Sequence, residues 1–254
     1  MLTIFKKRNI NCVIHLAAQA GVRESKINPK KFVESNLNGF FNVLEISRIY
    51  KVKHFLFASS SSVYGDQKKF PINEKAKTNP VSFYGATKVS NERMAFAYSN
   101  IYKLPTTSLR FFTVYGPYAR PDMALYKFTD SIIKNRNIFI HNNGKHTRDF
   151  TYIEDAVDMV IKLIKNIPKN KIPYKCYNIA SGKPVKLSKY VNLIELNLNK
   201  KAKITYLPLQ FGDVLKTHAS IRAIKKVIKV NRLTSIREGI YNFIQWYERY
   251  NRIS

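Results

Sequence analysis

Tyr84-Gly-Ala-Thr-Lys88 places a phenol and an ammonium four residues apart. On a helix that spacing puts both side chains on one face. A cation beside the phenol favours the phenolate, drawing a tyrosine pKa of about 10 toward a working range and making a general base. The spacing alone is weak, because with 16 tyrosines and 44 Lys or Arg residues chance supplies other matches, and Tyr64…Lys68 is one. That pair straddles Gly65-Asp66-Gln67, a turn signal, where positions four apart share no face. Context favours Tyr84. Ala58-Ser-Ser-Ser-Ser-Val-Tyr-Gly65 directly follows an apolar strand pattern, and parallel sheets bind ligands at the carboxyl ends of their strands. A hydroxyl there can hydrogen-bond both a substrate hydroxyl and the Tyr84 oxygen, and the plain alternative is a serine-rich loop.

The elements that must position these groups alternate along the chain. Asn11–Ala17 and His54–Ala58 are continuously apolar strand patterns, and Thr107–Phe112 is a third, after Pro105. Phe32–Tyr50 has helical periodicity through Phe32, Leu37, Phe40, Phe41, Leu44 and Ile49, and Ser82–Tyr102 reads as one long helix. Apolar strands separated by helices imply a parallel sheet covered on both faces, a three-layer α/β core. Beyond Gly116 the pattern loosens. Helices are expected over Asp155–Ile164, Ser188–Leu198 and Ile236–Tyr250, strands over Cys176–Ile179 and Lys203–Leu207, and a loop over Lys165–Lys175, which holds Pro168 and Pro173.

The composition bounds the rest. With 254 residues, 45 % of them hydrophobic, the chain can bury a sizeable core. Its formal charge of +28 raises the question of nucleic acid. The basic residues are spread from Lys6 to Arg252, the longest unbroken block is Lys6-Lys7-Arg8, and no nucleic-acid-binding motif accompanies them. Solvated lysine-rich faces account for the charge, and neither nucleic acid nor a membrane is expected as a partner. Two cysteines, Cys12 and Cys176, make neither a disulfide framework nor a four-ligand zinc site, so the expectation is a reducing, cytoplasmic location and no metal. The nine glycines, at 21, 39, 65, 85, 116, 144, 182, 212 and 239, contain no G-x-G-x-x-G and no Walker-type loop.

Several longer segments carry a resemblance. Val13-Ile-His-Leu-Ala-Ala-Gln-Ala-Gly-Val-Arg23, Ser59–Gly65, Tyr84–Lys88, Leu109-Arg-Phe-Phe-Thr-Val-Tyr-Gly-Pro117, Arg120-Pro-Asp-Met-Ala124 and Arg148-Asp-Phe-Thr-Tyr-Ile153 occur in that order. Together they resemble the NAD-dependent nucleotide-sugar epimerases of the extended short-chain dehydrogenase/reductase family, nearest the branch acting on UDP-glucuronate. The resemblance implies a Rossmann-like parallel sheet over residues 1–115, with 150–180 returning to it, and a smaller substrate domain over most of 116–254. It implies Tyr84 as proton acceptor, Lys88 as the residue that holds the nicotinamide ribose and lowers the Tyr84 pKa, and Ser60 as the assisting hydroxyl. Ala17, Ala18, Gln19 and Asn36 match positions beside NAD. Thr113, Arg120, Arg148 and Asp213 match substrate-side positions, Arg148 toward a nucleotide diphosphate and Arg120 toward the sugar, with an ion pair between Arg148 and Asp149 as the lesser alternative.

Departures from the family sharpen the expectation. The positions that hold an Asp-Glu pair in the related dehydratases are Ser61 and Ser62, which cannot act as acid and base, so 4-epimerisation of a UDP-sugar is favoured over dehydration. Thr217-His-Ala-Ser220 lacks a late aspartate usual in the family. The family's glycine-rich first quarter has no counterpart. The sheet is therefore expected to be N-terminally truncated, NAD binding weak and UDP binding retained. The alternatives are an inactive fragment, a homodimer, half of a split enzyme awaiting a complementary N-terminal fragment, and, more remotely, a basic nucleic-acid-binding module.

Overall fold

His54-Phe-Leu-Phe-Ala58 has no polar face, and such a strand is stable only with cover on both sides. In the computed structural model, which describes residues 2–209 and 213–252, it lies inside a four-stranded parallel sheet. The strands are β1 (Cys12–His15), β2 (His54–Ser60), β3 (Thr106–Phe111), β4 (Thr113–Tyr115), β5 (Asn137–His141), β6 (Thr147–Tyr152), β7 (Tyr174–Ile179), β8 (Pro184–Lys186) and β9 (Lys203–Leu207). The helices are α1 (Leu2–Lys7), α2 (Val22–Ile27), α3 (Pro29–Phe32), α4 (Phe40–Ile49), α5 (Phe83–Tyr102), α6 (Ala124–Ile133), α7 (Ile153–Ile164), α8 (Leu187–Leu198), α9 (Arg222–Lys225) and α10 (Ile236–Asn251). The described chain divides into two compact units.

The first unit comprises Met1–Phe111, Met159–Ile179 and Ser220–Lys229. Its sheet runs β1-β2-β3-β7, every pair parallel, with Ser59 opposite Arg110 and Arg110 opposite Asn178. Phe55 and Phe57, two apart on β2, share a face, and the ring of Phe40 from α4 meets them at 5.9 and 5.1 Å. Leu44, Val52, Ala95 and Leu104 complete this layer, while Leu56 is buried on the opposite face. β1 is an edge strand and Ile14 on it is exposed.

The periodicity over Phe32–Tyr50 suggests one helix. The structure instead holds α3, a π-helical stretch Val33–Gly39 and α4 in succession. The wider turn lies where the Asn36 side chain is committed to partners outside the helix, and a mean period cannot reveal it. Tyr174 and Lys175, expected in a loop, begin β7, because the strand extends as far as its pairing with β3.

The second unit comprises Phe112–Asp158, Ala180–Ala219 and Val230–Ser254. β4 and β6 pair in parallel, β8 joins β6 antiparallel, and β5 pairs with β9. Helices α6, α8 and α10 supply Leu125, Phe128, Tyr190, Ile194, Phe243 and Tyr247 to one core around Tyr115 and Phe150, with Phe150 and Tyr190 stacked at 4.1 Å. Strands β4, β5, β6 and β8 do not stand out in the apolar pattern: β4 and β8 have three residues each, β5 alternates exposed and buried residues, and β6 opens on Thr-Arg-Asp.

Gly65 has a φ of +62°, and a Cβ added there would overlap the carbonyl oxygen of Asn79, whose N–H bonds Val63. Gly65→Ala is expected to cost about 2–5 kcal/mol, backbone strain plus overpacking. Gly144→Ala, at a φ of +69° but with only Ile140 Cγ2 at 3.5 Å, bears the strain alone, about 1–2 kcal/mol. Urea unfolding of both variants checks the order, and equal losses would contradict the close approach at Gly65.

Candidate active site

Helix α5 carries the phenol and the ammonium. Ser82 caps it, its Oγ accepting from the Gly85 N–H at 3.1 Å, so Tyr84 stands in the first turn. A Cβ on Gly85 would lie 2.7 Å from the Ser62 carbonyl oxygen, so glycine there lets this turn press directly on the serine loop. Across that contact β2 ends at Ser60, whose Oγ accepts from the Ser62 N–H at 3.1 Å and starts the short turn Ser61–Val63. Lys88, one helical turn beyond Tyr84, is 3 % exposed and donates from Nζ to the Ala58 carbonyl at 3.0 Å. Its ammonium stands 5.9 Å from the centre of the Tyr84 ring. Burial lowers the Lys88 pKa to about 8. His15, at the end of β1, is held below its usual value by burial and then by the Lys88 charge.

Asn36 is buried and clamps the backbone of one residue on both sides. Its Oδ1 accepts from the Gln19 N–H at 2.8 Å and its Nδ2 donates to the Gln19 carbonyl at 3.0 Å. The same Nδ2 reaches Thr87 Oγ1, which donates to the Tyr84 carbonyl. The segment Ala17–Gln19 after β1 and the first turn of α5 are thus joined through one amide. Ala17 is exposed, and Ala18 and Gln19 are half-buried.

Tyr64 of the competing Tyr64…Lys68 spacing is fully buried, donates to Asn178 Oδ1 at 2.6 Å, and is raised by burial above the ordinary tyrosine value. It is a structural phenol. Sequence reasoning passed over Glu92 and Arg110, a bidentate ion pair with side chains 7 % exposed. A charged residue inside the apolar run Thr107–Phe112 was the available signal. Burial holds the Cys176 thiol up at about 12.

In the second unit, the alternative reading of Arg148 and Asp149 as an ion pair is not met. Neighbours on a strand face opposite ways, and Asp149 is instead satisfied by the N–H groups of Ser181, Gly182 and Ala219 and by Ser181 Oγ. Burial still raises its pKa. Arg148 donates to the carbonyls of Thr147 and Leu215, and burial lowers its pKa against the opposing pull of Asp213. Thr113 opens β4 and is half-buried. Arg120 is exposed and forms a fork with Asp122 at 2.8 and 2.6 Å. Thr217, in the segment that departs from the family, accepts the Asp149 N–H at 3.0 Å. Among the described residues no group of His, Cys, Asp or Glu is arranged to hold a metal ion, and no helix is long and apolar enough to cross a membrane.

The comparisons fit this geometry. Residues 1–180 match the NAD dependent epimerase/dehydratase family. Protein CapI of Staphylococcus aureus is 43 % identical over 97 % of this chain and 78 % of its own length. A probable UDP-glucuronate 4-epimerase of Rhizobium meliloti is 42 % identical, with 93 % and 74 % covered. Among solved structures, the UDP-glucuronic acid 4-epimerase of Bacillus cereus in complex with UDP-glucuronic acid and NAD superposes with a TM-score of 0.90 at 29 % identity, covering 95 % of this chain and 76 % of that one. MoeE5, also in complex with UDP-glucuronic acid and NAD, gives 0.89 at 31 %, covering 96 % and 81 %.

Lys88 sets a test of the buried charge. Its ordinary value is 10.5 and its folded value about 8, so between these the unfolded chain binds a proton that the folded chain does not. Stability therefore rises with pH across that window, and the full penalty is present below it. Lys88→Met removes the group, so thermal unfolding should show the wild type gaining on the variant as pH rises from 8 to 10.5. A pH-independent difference would contradict a buried ammonium.

Proposed function

Because the chain belongs to the NAD dependent epimerase/dehydratase family, we propose that it is an NAD-dependent 4-epimerase of UDP-sugars, acting on UDP-glucuronate. The observation that carries this reading is the Tyr84–Lys88 pair at the start of α5, its ammonium buried against the end of β2 beside Ser60. The uronate is supported by relatives named UDP-glucuronate 4-epimerase and by neighbours solved with UDP-glucuronic acid.

The residues present suit a nicotinamide cofactor. Lys88 has three N–H donors and spends one on Ala58, leaving donors for ribose hydroxyls in a site that disfavours an uncompensated charge. The Gln19 backbone, held by Asn36, and Ala17–Ala18 would line the same cofactor beyond β1. When bound, NAD supplies a reversible hydride acceptor for the sugar carbon.

The chain's own part is proton handling and orientation. With a pKa of about 8, Lys88 is still mainly a cation at pH 7, and its charge favours the Tyr84 phenolate. Tyr84 takes the proton of the C4 hydroxyl and returns it when the hydroxyl is re-formed, while Ser60 hydrogen-bonds that same oxygen. Ser61 and Ser62 offer no carboxyl to expel water from the sugar, so the reaction stops at inversion. Arg148 is assigned to the nucleotide diphosphate, Asp213 to another part of the UDP, and Thr113 to the substrate side. Arg120 is assigned to the carboxylate: its exposed pair with Asp122 is worth little, so exchange for a substrate carboxylate is cheap.

The test is chromatography of UDP-glucuronate incubated with the chain and NAD. The wild type is expected to form UDP-galacturonate, and Tyr84→Phe to lower kcat by about 10²–10⁴ with UDP affinity retained. Full activity in Tyr84→Phe would remove the phenol from the mechanism. Turnover of UDP-glucose in preference to the uronate would reject the assignment of Arg120.

A further inference from the structure

Glu92 lies one turn beyond Lys88 on α5, with no role in the chemistry above. Its Oε1 accepts from Ser59 Oγ at 2.6 Å, from Arg110 Nε at 2.8 Å and from Ser108 Oγ at 3.2 Å, while Oε2 accepts from Arg110 Nη2 at 2.7 Å. Arg110 faces Ser59 across the β2–β3 pairing, donates to the Glu74 carbonyl at 3.0 Å, and sits 4.7 Å over the ring of Tyr64. Three of the five N–H donors of Arg110 and both oxygens of Glu92 are thereby engaged within a buried charge pair.

Consecutive residues of β2 are held by residues one turn apart on α5. The Ala58 carbonyl receives Lys88, and the Ser59 hydroxyl is received by Glu92. Sliding or rotating the helix along the strand breaks both bonds together. Stability alone is a weak reason to keep such a pair, since apolar residues of similar volume often serve as well. What apolar packing does not provide is a directional bond that fixes the helix along the strand axis.

We infer that Glu92, locked by Arg110, is a positioning residue that acts through Ser59 to set where Lys88 and Tyr84 stand at the end of β2. The inference rests on the assignment of Tyr84 and Lys88 made above. Its test reads position without turnover, so either can fail without the other.

The measurement is a pH titration of the full chain labelled with [13Cε]lysine, the Lys88 resonance being identified by its loss in Lys88→Met. In the wild type the midpoint is expected near 8, lowered by burial. Ser59→Ala leaves the Glu92–Arg110 pair intact but cuts its bond to β2, so water gains access and the midpoint is expected to rise by about half a unit or more. Ser59→Thr restores the hydroxyl and should restore the midpoint. Ser108→Ala gives up only the 3.2 Å bond from β3 and should leave Lys88 unchanged. If Ser59→Ala does not fold, Ser59→Cys, a weaker donor of similar size, carries the same expected rise. An unmoved Lys88 midpoint in the Ser59 variant, whatever its melting temperature, overturns the inference, as does an equal rise in Ser108→Ala, which would mean general loosening.

Discussion

A buried ammonium donating to a strand carbonyl is the constraint on which the rest of this structure turns. Lys88 reaches Ala58 at 3.0 Å only because α5 lies flat on the carboxyl end of β2. That closeness needs Gly85 under the Ser62 carbonyl, Ser82 as the cap that starts the helix one residue before Tyr84, and Thr87 tied to Asn36. Charge burial opposes folding, so it persists only where other contacts over-determine the geometry. Here they do. Phe40, Phe55 and Phe57 lock β2 against its helices, and the Glu92–Arg110 pair meets the same strand end.

The second unit solves a parallel problem with the opposite charge. Asp149 is buried with no cation paired to it among the described residues, and four donors satisfy it. Three are backbone N–H groups, so Asp149 holds the backbone at 181–182 and 219 rather than a side chain. That frees Arg148, on the other face of β6, from internal pairing. Its guanidinium is left to two carbonyls and to the field of Asp213.

Much of this was legible in the amino-acid order, for identifiable reasons. His54–Ala58 and Ser82–Tyr102 stood out because a strand covered on both faces and a long capped helix leave patterns that span their whole length. Tyr84 and Lys88 were distinguishable from Tyr64 and Lys68 because glycine and aspartate between the latter break helical spacing. The π-helical stretch at Val33–Gly39 was not legible, since its cause is a bond from Asn36 to Gln19 and Thr87, 17 and 51 residues away. Nor was the pairing of β5 with β9, which joins Asn137 to Lys203. The role of Glu92 was hidden because a glutamate four residues after a lysine on a helix suggests a surface ion pair. Its partner, Arg110, is a neighbour only once β3 lies beside β2.

The strong positive charge of the chain takes on meaning against this background. The net +28 belongs mostly to exposed side chains, yet the cations that matter at the site are few and are distinguished by what faces them. Arg110 faces a buried carboxylate in a two-pronged pair, so it holds structure. Lys88 faces a single carbonyl and keeps donors unspent, so its energy is lowest when a further acceptor arrives. Arg120 faces an exposed carboxylate, Asp122, in a fork open to water. These cations differ in how completely the protein satisfies them, and the more completely a charge is satisfied the more firmly it fixes geometry. Counting basic residues cannot make that distinction, and the hydrogen-bond partners of each one do.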